Sequence, residues 1–376
     1  LTEQSPNQQN WQPYNVLKRP GEVRRLSYQA LAHGADSVLF FQMRANRGGV
    51  EKLHGTFIPH EGGGDTRIYR EMSDLGAELA RLGGAFTGAR TEAKVALLFD
   101  WDNWWATSLS SGPSHDLDFF AQAAKWYASL YRRNVAVDVV RSTADLSSYS
   151  LVLAPVLYLV KDGVGESLER FVHAGGTLVT SFFSGVVDEN DQVTTAGYPG
   201  PLRKLAGIRV EETDALPPGK TNRIVLTSPV GNLDASSSGG YPATLLCDVL
   251  RTEGAETLAV YGDEFYAGSP CLTRHAFGSG SAYYLATDPA DEFLNGFMDA
   301  VCEEAGVAPV LDAPEGVEVA RRARDGREVL FVINHRVEAV TVTLGRGVRT
   351  NLLTGTEVSR TLELEAGDVA VLSPER

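Results

Sequence analysis

The chain has 376 residues, 43% of them apolar, which is ample for two or three ordinary soluble cores. Its formal net charge of −14 argues against a nucleic-acid partner, because a phosphate backbone is held by clustered Lys and Arg that this sequence lacks. The longest apolar run, Leu151 to Val160, is broken by Pro155 and falls short of the roughly 20 residues a membrane-spanning helix needs, so no membrane partner is expected.

The first residues, Leu1-Thr2-Glu3-Gln4-Ser5-Pro6, read as the end of a strand running into a Pro/Asn-rich loop that reaches Pro13. A strand entering there needs a sheet these residues do not supply, so the sequence is expected to be the later part of a longer protein. Pro20 to Ala32 reads as a helix with Val23, Leu26, Ala30 and Leu31 on one face, ended by His33-Gly34. Ser37 to Gln42 reads as a continuous apolar strand, as in a parallel sheet buried on both faces. A loop with two glycine clusters follows, then a helix from about Arg67 to Leu82. This rhythm fits the last units of a (β/α)8 TIM barrel, in which the residues just beyond strand C-termini carry the chemistry.

Gly83 to Thr91 reads as a boundary, after which strand Lys94–Asp100 opens a new alternation. Helix 117–133, strands 135–140 and 151–155, helix 165–173 and strand 177–181 follow, giving a doubly wound, flavodoxin-like or amidotransferase-like α/β domain. Gly197 to Gly240 reads as loops with short strands, and strand 281–286 with helix 289–305 completes the domain. From Gly316 short alternating strands (317–323, 328–334, 339–344 and 368–372) indicate a small antiparallel β domain. The expected division is therefore 1–88, 89–308 and 309–376.

Beyond the strand ending at Gln42 lie Arg44, Glu51 and His54, with Glu51 and His54 spaced i, i+3 so that one helical turn would point them the same way. Such a set suits several sugar hydroxyls, each of which wants a donor and an acceptor; a solvated pair on a loop is the plainer reading. Trp11 and Phe41 offer flat apolar faces for a pyranose ring, or for core packing. Asp100-Trp101-Asp102-Asn103-Trp104-Trp105 is an aromatic and acidic cluster whose tryptophans are costly to leave in water, and an interdomain or intersubunit contact is its expected use. Cys247, Cys271 and Cys302 are far apart, without CxxC spacing, and read as buried free thiols. No cofactor is expected, and scarce cysteine favours a cytoplasmic protein. No G-x-G-x-x-G follows a strand, and Asp188-Glu189-Asn190-Asp191 lacks the later bidentate Glu of a calcium loop.

Taken as one colinear series, Thr2-Glu3-Gln4-Ser5-Pro6, Asn10-Trp11-Gln12-Pro13, Arg19-Pro20-Gly21, Ala32-His33-Gly34-Ala35-Asp36, Phe40-Phe41-Gln42-x-Arg44 and Gly49-Val50-Glu51-Lys52-x-His54-Gly55 resemble the family 42 glycoside hydrolases, which are β-galactosidases. The resemblance continues through Leu98-Phe99-Asp100-Trp101-x-Asn103-Trp104-Trp105, Gly175-Gly176-Thr177-Leu178 and Ser184 to Asp191. It implies a catalytic (β/α)8 barrel of which the last two strands are present, an α/β trimerisation domain and a small C-terminal β domain, in a homotrimer acting on β-galactosides. It also implies Glu3 as the nucleophile and Trp11, Phe41, Glu51 and His54 as galactose ligands, with Arg44 a looser match. The family's acid/base Glu belongs to an Asn-Glu pair absent from residues 1–376, so these residues alone are expected to be catalytically silent. The zinc-binding cysteines of many members are likewise expected upstream.

Two other functions compete with this one. A non-catalytic assembly or sugar-binding module would use the α/β domain without the acid/base residue. An amidotransferase-like or hydrolase-like enzyme would need Cys or Ser at a tight strand-to-helix elbow, and none is present.

Overall fold

The computed structural model describes residues 2–195, 197–234 and 239–374. It is a mixed α/β structure with one large sheet and two small antiparallel sheets, divided into two compact units. The first unit comprises residues 1–92, 132–134 and 309–376, and the second comprises 93–131 and 135–308.

Two helices open the chain, α1 (Glu22–Ala32) and α2 (Arg67–Phe86). Helix α2 starts where the Thr66 hydroxyl accepts the Tyr69 N–H at 3.1 Å, a side-chain cap for an otherwise orphaned donor. It runs through Gly83-Gly84 to Phe86, past the expected boundary, because Leu75, Leu82 and Phe86 lie on one buried stripe whose burial outweighs the poor helix propensity of glycine. The buried face of α1 is Val23, Ser27, Tyr28 and Leu31, so it is rotated from the expected one; Leu26 and Ala30 are only half-buried. Ser27 is tolerated there because its hydroxyl donates to the Val23 carbonyl at 2.7 Å.

The second unit begins with β1 (Val95–Leu98), α3 (Trp101–Leu109), α4 (Phe119–Tyr131), β2 (Val137–Val140), β3 (Leu151–Ala154), α5 (Val164–His173) and β4 (Thr177–Ser181). A four-residue helix α6 (Arg203–Ala206) leads to β5 (Ile208–Ala215), β6 (Asn222–Leu226), β7 (Tyr241–Thr252), β8 (Glu256–Tyr261), β9 (Pro270–Phe277), β10 (Gly280–Leu285), β11 (Thr287–Pro289) and α7 (Asp291–Glu304). Strands β2-β1-β3-β4-β10 are parallel neighbours, and β1, β3 and β4 are buried along their whole length, as sheets covered on both faces require. Beyond β10 the same sheet turns antiparallel through β9, β8, β6, β7 and β11, with β5 on β7. The doubly wound expectation thus describes only half of this sheet: residues 208–277 supply an antiparallel half, of which only the part up to Gly240 was expected to hold short strands among loops. Gly278 makes the turn from β9 to β10: its φ is +60°, and a Cβ there would lie 2.6 Å from the His173 Cα.

Strand β1 stops at Leu98, short of the expected Asp100, and the Asp100–Trp105 cluster is the N-cap and first turns of helix α3. Asp100 is buried, accepts the Ser142 N–H at 3.2 Å and that residue's hydroxyl, and sits 3.3 Å from the Lys161 ammonium, which also pairs with Asp102 at 2.7 Å. Burial works against the Lys161 charge, yet Asp102 and Asp100 together raise its pKa above the usual lysine value. Another buried carboxylate, Asp248, accepts from the Thr213 hydroxyl (2.6 Å), the Tyr284 hydroxyl (2.7 Å) and the Phe183 N–H (2.9 Å). Burial pushes its pKa up despite these donors.

The C-terminal strands are β12 (Val317–Arg324), β13 (Arg327–Asn334), β14 (Val340–Thr350), β15 (Glu357–Leu364) and β16 (Val369–Leu372). They form a β12-β13-β16 sheet and a β14-β15 ribbon, β15 being the strand that the alternation pattern missed. One face of β13 and β16 (Phe331, Ile333, Val371) packs with Tyr28, Leu31 and Phe86 of the two N-terminal helices. No helix among the described residues is long and apolar enough to cross a membrane.

Arg322 on β12 lies within this unit with 0% of its surface exposed. Its guanidinium donates to the carbonyls of Leu31 (2.9 Å), Ala35 (2.8 Å) and Ala89 (2.6 and 3.2 Å) and to the Asp36 carboxylate (2.8 Å), and lies over the Phe86 ring. Removing it takes the side-chain donors from the buried Ala89 and half-buried Ala35 carbonyls, and leaves the Leu31 carbonyl with the Gly34 N–H and the exposed Asp36 with the Gly88 N–H. In the full-length protein Arg322→Ala should destabilise the fold by about 3–5 kcal/mol in urea unfolding, and Arg322→Lys, unable to reproduce the planar fork, should rescue little of it. A midpoint unchanged in either variant would show that the clamp is not stabilising.

Candidate active site

Among the described residues, 37–42 pair through one parallel bridge, Gln4 with Phe40, and Leu39 is 53% exposed, so these residues by themselves leave one face of the segment uncovered. The Gln4 N–H donates to the Leu39 carbonyl at 2.8 Å, and the Phe41 N–H donates to the Gln4 carbonyl at 3.1 Å. With a single backbone neighbour, an apolar run keeps one side chain in two in solvent. Gln4 and Phe40 face α1, where the Ser27 hydroxyl meets the Gln4 Oε1 at 3.2 Å and Phe40 joins the Tyr28–Leu31 cluster. The two-residue period of extended chain turns Glu3 and Phe41 to the opposite face. Glu3 is exposed there.

Three of the expected sugar-binding residues meet at His54. The imidazole is 4% exposed, stacks on Trp11 with ring centroids 4.9 Å apart and planes 16° from parallel, and meets the Phe41 ring edge-on at 5.4 Å. Its Nε2 lies 3.0 Å from the Phe41 carbonyl oxygen. That oxygen can only accept, so Nε2 carries the proton and neutral His54 keeps an acceptor lone pair at Nδ1. Nδ1 is buried and has no hydrogen-bond partner. Trp11 is half-exposed, leaving its other face open to solvent.

Glu51 and His54 share a turn closed by the His54 N–H to the Glu51 carbonyl at 3.0 Å, rather than a helix, and Glu51 is half-buried. Arg44 is not brought in: it is exposed, bridges Ile58 through its backbone, and no ion pair joins it to Glu3 or Glu51 among the described residues.

The turn carrying Glu51 and His54 is tied to the loop carrying Trp11 by Gln8, Asn10 and Gly55, none of which was expected to have this role. The Asn10 Nδ2 donates to the Val50 carbonyl, the Gln8 Nε2 donates to the Leu53 carbonyl at 3.2 Å, and the Gly55 N–H donates to the Gln8 carbonyl at 2.9 Å. Gly55 is required by this approach, because a Cβ there would lie 2.8 Å from both the Asn7 Cβ and the Gln8 oxygen. The Trp11 loop is closed at its other end by Lys18, whose Nζ donates to the Asn7 carbonyl at 2.8 Å; burial lowers its pKa, against the opposing pull of Glu22. An open pocket of about 360 Å³ lies beneath the turn, lined by Asn7, Gln8, Leu53, His54, Phe57 and His60 among others.

Among the described residues of the α/β unit no amidotransferase-like elbow is found. The strand ends with left-handed backbone are Val156 after β3 (φ 45°) and Phe183 after β4 (φ 56°), neither of which bears a nucleophile. All three cysteines are buried, and burial pushes the Cys247 and Cys271 thiols up, away from the reactive thiolate. No group of three or more His, Cys, Asp or Glu able to hold a metal ion occurs among the described residues.

Three family descriptions match the chain in order: β-galactosidase over residues 1–82, β-galactosidase trimerisation domain over 93–308, and β-galactosidase C-terminal domain over 316–374. The chain is 50% identical over 373 residues to β-galactosidase BgaP of Planococcus sp. (strain L4), covering 99% of this chain and 55% of that protein. It is 43% identical over 374 residues to β-galactosidase BgaB of Geobacillus sp. (strain Y412MC61), covering 99% and 54%. The crystal structure of a β-galactosidase from Bacillus circulans sp. alkalophilus superposes with a TM-score of 0.96 at 50% identity, over all of this chain and 55% of that one. The chain thus spans about half the length of the curated relatives it matches. With its three successive segments matched in order and its fold shared throughout, the chain belongs to the family 42 glycoside hydrolases.

Proposed function

We propose that the chain is the C-terminal part of a retaining β-galactosidase that hydrolyses terminal non-reducing β-D-galactose residues. In this reading residues 1–88 close a (β/α)8 catalytic barrel, 89–308 form the α/β trimerisation domain, and 309–376 are the C-terminal β domain. The observation that carries it is the convergence of Trp11, Phe41 and His54, from three separate segments, on one aromatic stack with a buried, unpartnered ring nitrogen at its centre.

A retaining glycosidase uses two carboxyl groups roughly 5–5.5 Å apart, one attacking the anomeric carbon and the other protonating the leaving oxygen and then activating water. Glu3 is the attacking group: it is exposed, on the face it shares with Phe41, and so is free to meet substrate. The acid/base carboxyl comes from the family's Asn-Glu pair, in the part of the relatives that these residues do not span. Trp11 offers its open face to the pyranose ring, and Phe41 closes the apolar side. The lone pair at His54 Nδ1 accepts a sugar hydroxyl, and Glu51 accepts a second from the same turn. Arg44 serves as a peripheral donor. No cofactor enters this scheme. The exposed tryptophans Trp101 and Trp105 of α3, with Trp101 stacked on Trp104 (5.3 Å) and Trp104 on Phe120 (5.5 Å), form the apolar face of a homotrimer contact.

Glu3→Gln in the full-length protein should lower kcat/KM on an activated β-galactoside by on the order of 10³-fold or more, as loss of an attacking group does. Turnover left at the wild-type level would remove Glu3 from the mechanism. His54→Phe preserves the stack on Trp11 and deletes only the acceptor, so KM should rise by about 10- to 100-fold, the worth of one desolvated hydrogen bond. An unchanged KM would mean that no hydroxyl uses Nδ1. Sedimentation of the full-length protein should give three chains per particle, and the Trp101→Asp, Trp105→Asp double variant should shift it to monomer; a wild-type monomer at micromolar concentration would dismiss the trimer.

A further inference from the structure

The turn that presents Glu51 and His54 has no regular secondary structure to hold it. Its only fixed points to the Trp11 loop among the hydrogen bonds of the described residues are those from Gln8 and Asn10. Their targets are specific. Asn10 holds the carbonyl of Val50, the residue before Glu51, and Gln8 holds the carbonyl of Leu53, the residue before His54. Each amide side chain therefore fixes the peptide plane from which one sugar-binding side chain departs, and the orientation of a peptide plane sets the direction of the next Cα–Cβ bond. The Gln8 backbone completes the strap by accepting the Gly55 N–H at 2.9 Å just past His54.

Both amides are oriented without ambiguity. A backbone carbonyl can only accept, so the nitrogen of each side chain must face it, and the oxygens must turn away. Those oxygens, Asn10 Oδ1 and Gln8 Oε1, are buried without a hydrogen-bond partner. A side chain whose sole task was to satisfy its own polar atoms would not leave its acceptor stranded, since each such atom carries a desolvation penalty.

We propose that Asn10 and Gln8 are positioning residues that hold Glu51 and His54, respectively, in sugar-binding geometry by fixing the peptide units before them. The proposal rests on the sugar-binding role given above to Glu51 and His54, and adds that the loop bearing Trp11 and the turn bearing these two residues act as one rigid element. Neither amide touches substrate; each acts through the residue its target carbonyl precedes.

The test is a pair of double-mutant cycles on the full-length enzyme, read as KM and kcat for an activated β-galactoside. Asn10→Ala should raise KM by about 10- to 100-fold with a smaller change in kcat, as expected when a binding group is misplaced by a fraction of an ångström to an ångström. In a Glu51→Ala background the same substitution should change KM by less than about twofold, because the group it positions is gone. Gln8→Ala should behave likewise with and without His54→Ala. Asn10→Asp keeps the side-chain volume but loses the donor toward the Val50 carbonyl, and should match Asn10→Ala; it also serves if Asn10→Ala does not fold. Effects that simply add in the double variants, or an Asn10→Asp enzyme with wild-type KM, would overturn the positioning role. A Glu51→Ala enzyme with wild-type KM would instead fail the sugar-binding reading beneath it, so the two failures are told apart by the single variant.

Discussion

The Arg322 guanidinium, sealed from water in the first unit, is the interaction on which the site's scaffold depends. A buried cation is tolerated only where its charge and all its donors are met, and here five hydrogen bonds reach three carbonyls and one carboxylate. The acceptors are not scattered. Leu31 lies in the last turn of α1, where unpaired carbonyls give the helix end its partial negative charge, and Ala35 and Asp36 form the connection that follows. The fourth, Ala89, lies just after α2, and its neighbour Arg90 pairs with Ala323 on the same strand as the arginine. One side chain of a C-terminal strand thereby fixes where two N-terminal helices end.

That constraint propagates directly to the candidate site. Residues 37–42 leave from Asp36, pair with Gln4 through Phe40, and bring the Phe41 carbonyl to His54. The position of Glu3, the tautomer of His54 and the edge of the Phe41 ring therefore all depend on where α1 stops. The turn at 50–55 has a second anchor besides the Phe41 carbonyl, the amides of Gln8 and Asn10. The arrangement divides the work as binding sites commonly do, with a packed scaffold setting one wall and a strapped loop setting the other.

The α/β unit illustrates a different economy. Its parallel half is read easily because buried strands such as Leu151–Ala154 are unbroken apolar runs. Its antiparallel half contains buried polar positions: Asp248 lies on β7, bonded to Thr213, Tyr284 and the Phe183 backbone, and Asn222 lies on β6 at zero exposure. Polar residues of that kind interrupt the pattern by which strands are recognised. Their stabilising partners come from other strands and cannot be inferred from neighbours in sequence.

By itself the sequence determined the helices Glu22–Ala32 and Arg67–Phe86 to within a few residues, the five parallel strands, and the motif series that carries Glu3, Trp11, Phe41, Glu51 and His54, because helical period, apolar runs and colinear motifs are local properties. Tertiary structure alone decided that Ser37–Gln42 is half-exposed, that Arg44 stands apart, that Asp100 begins a helix, and that Gln8 and Asn10 strap the turn on which Glu51 and His54 sit. In each of these cases the deciding partner lies many residues away. Hydrogen-bond satisfaction and burial are settled by which distant segment arrives beside a residue, and only the folded chain specifies that.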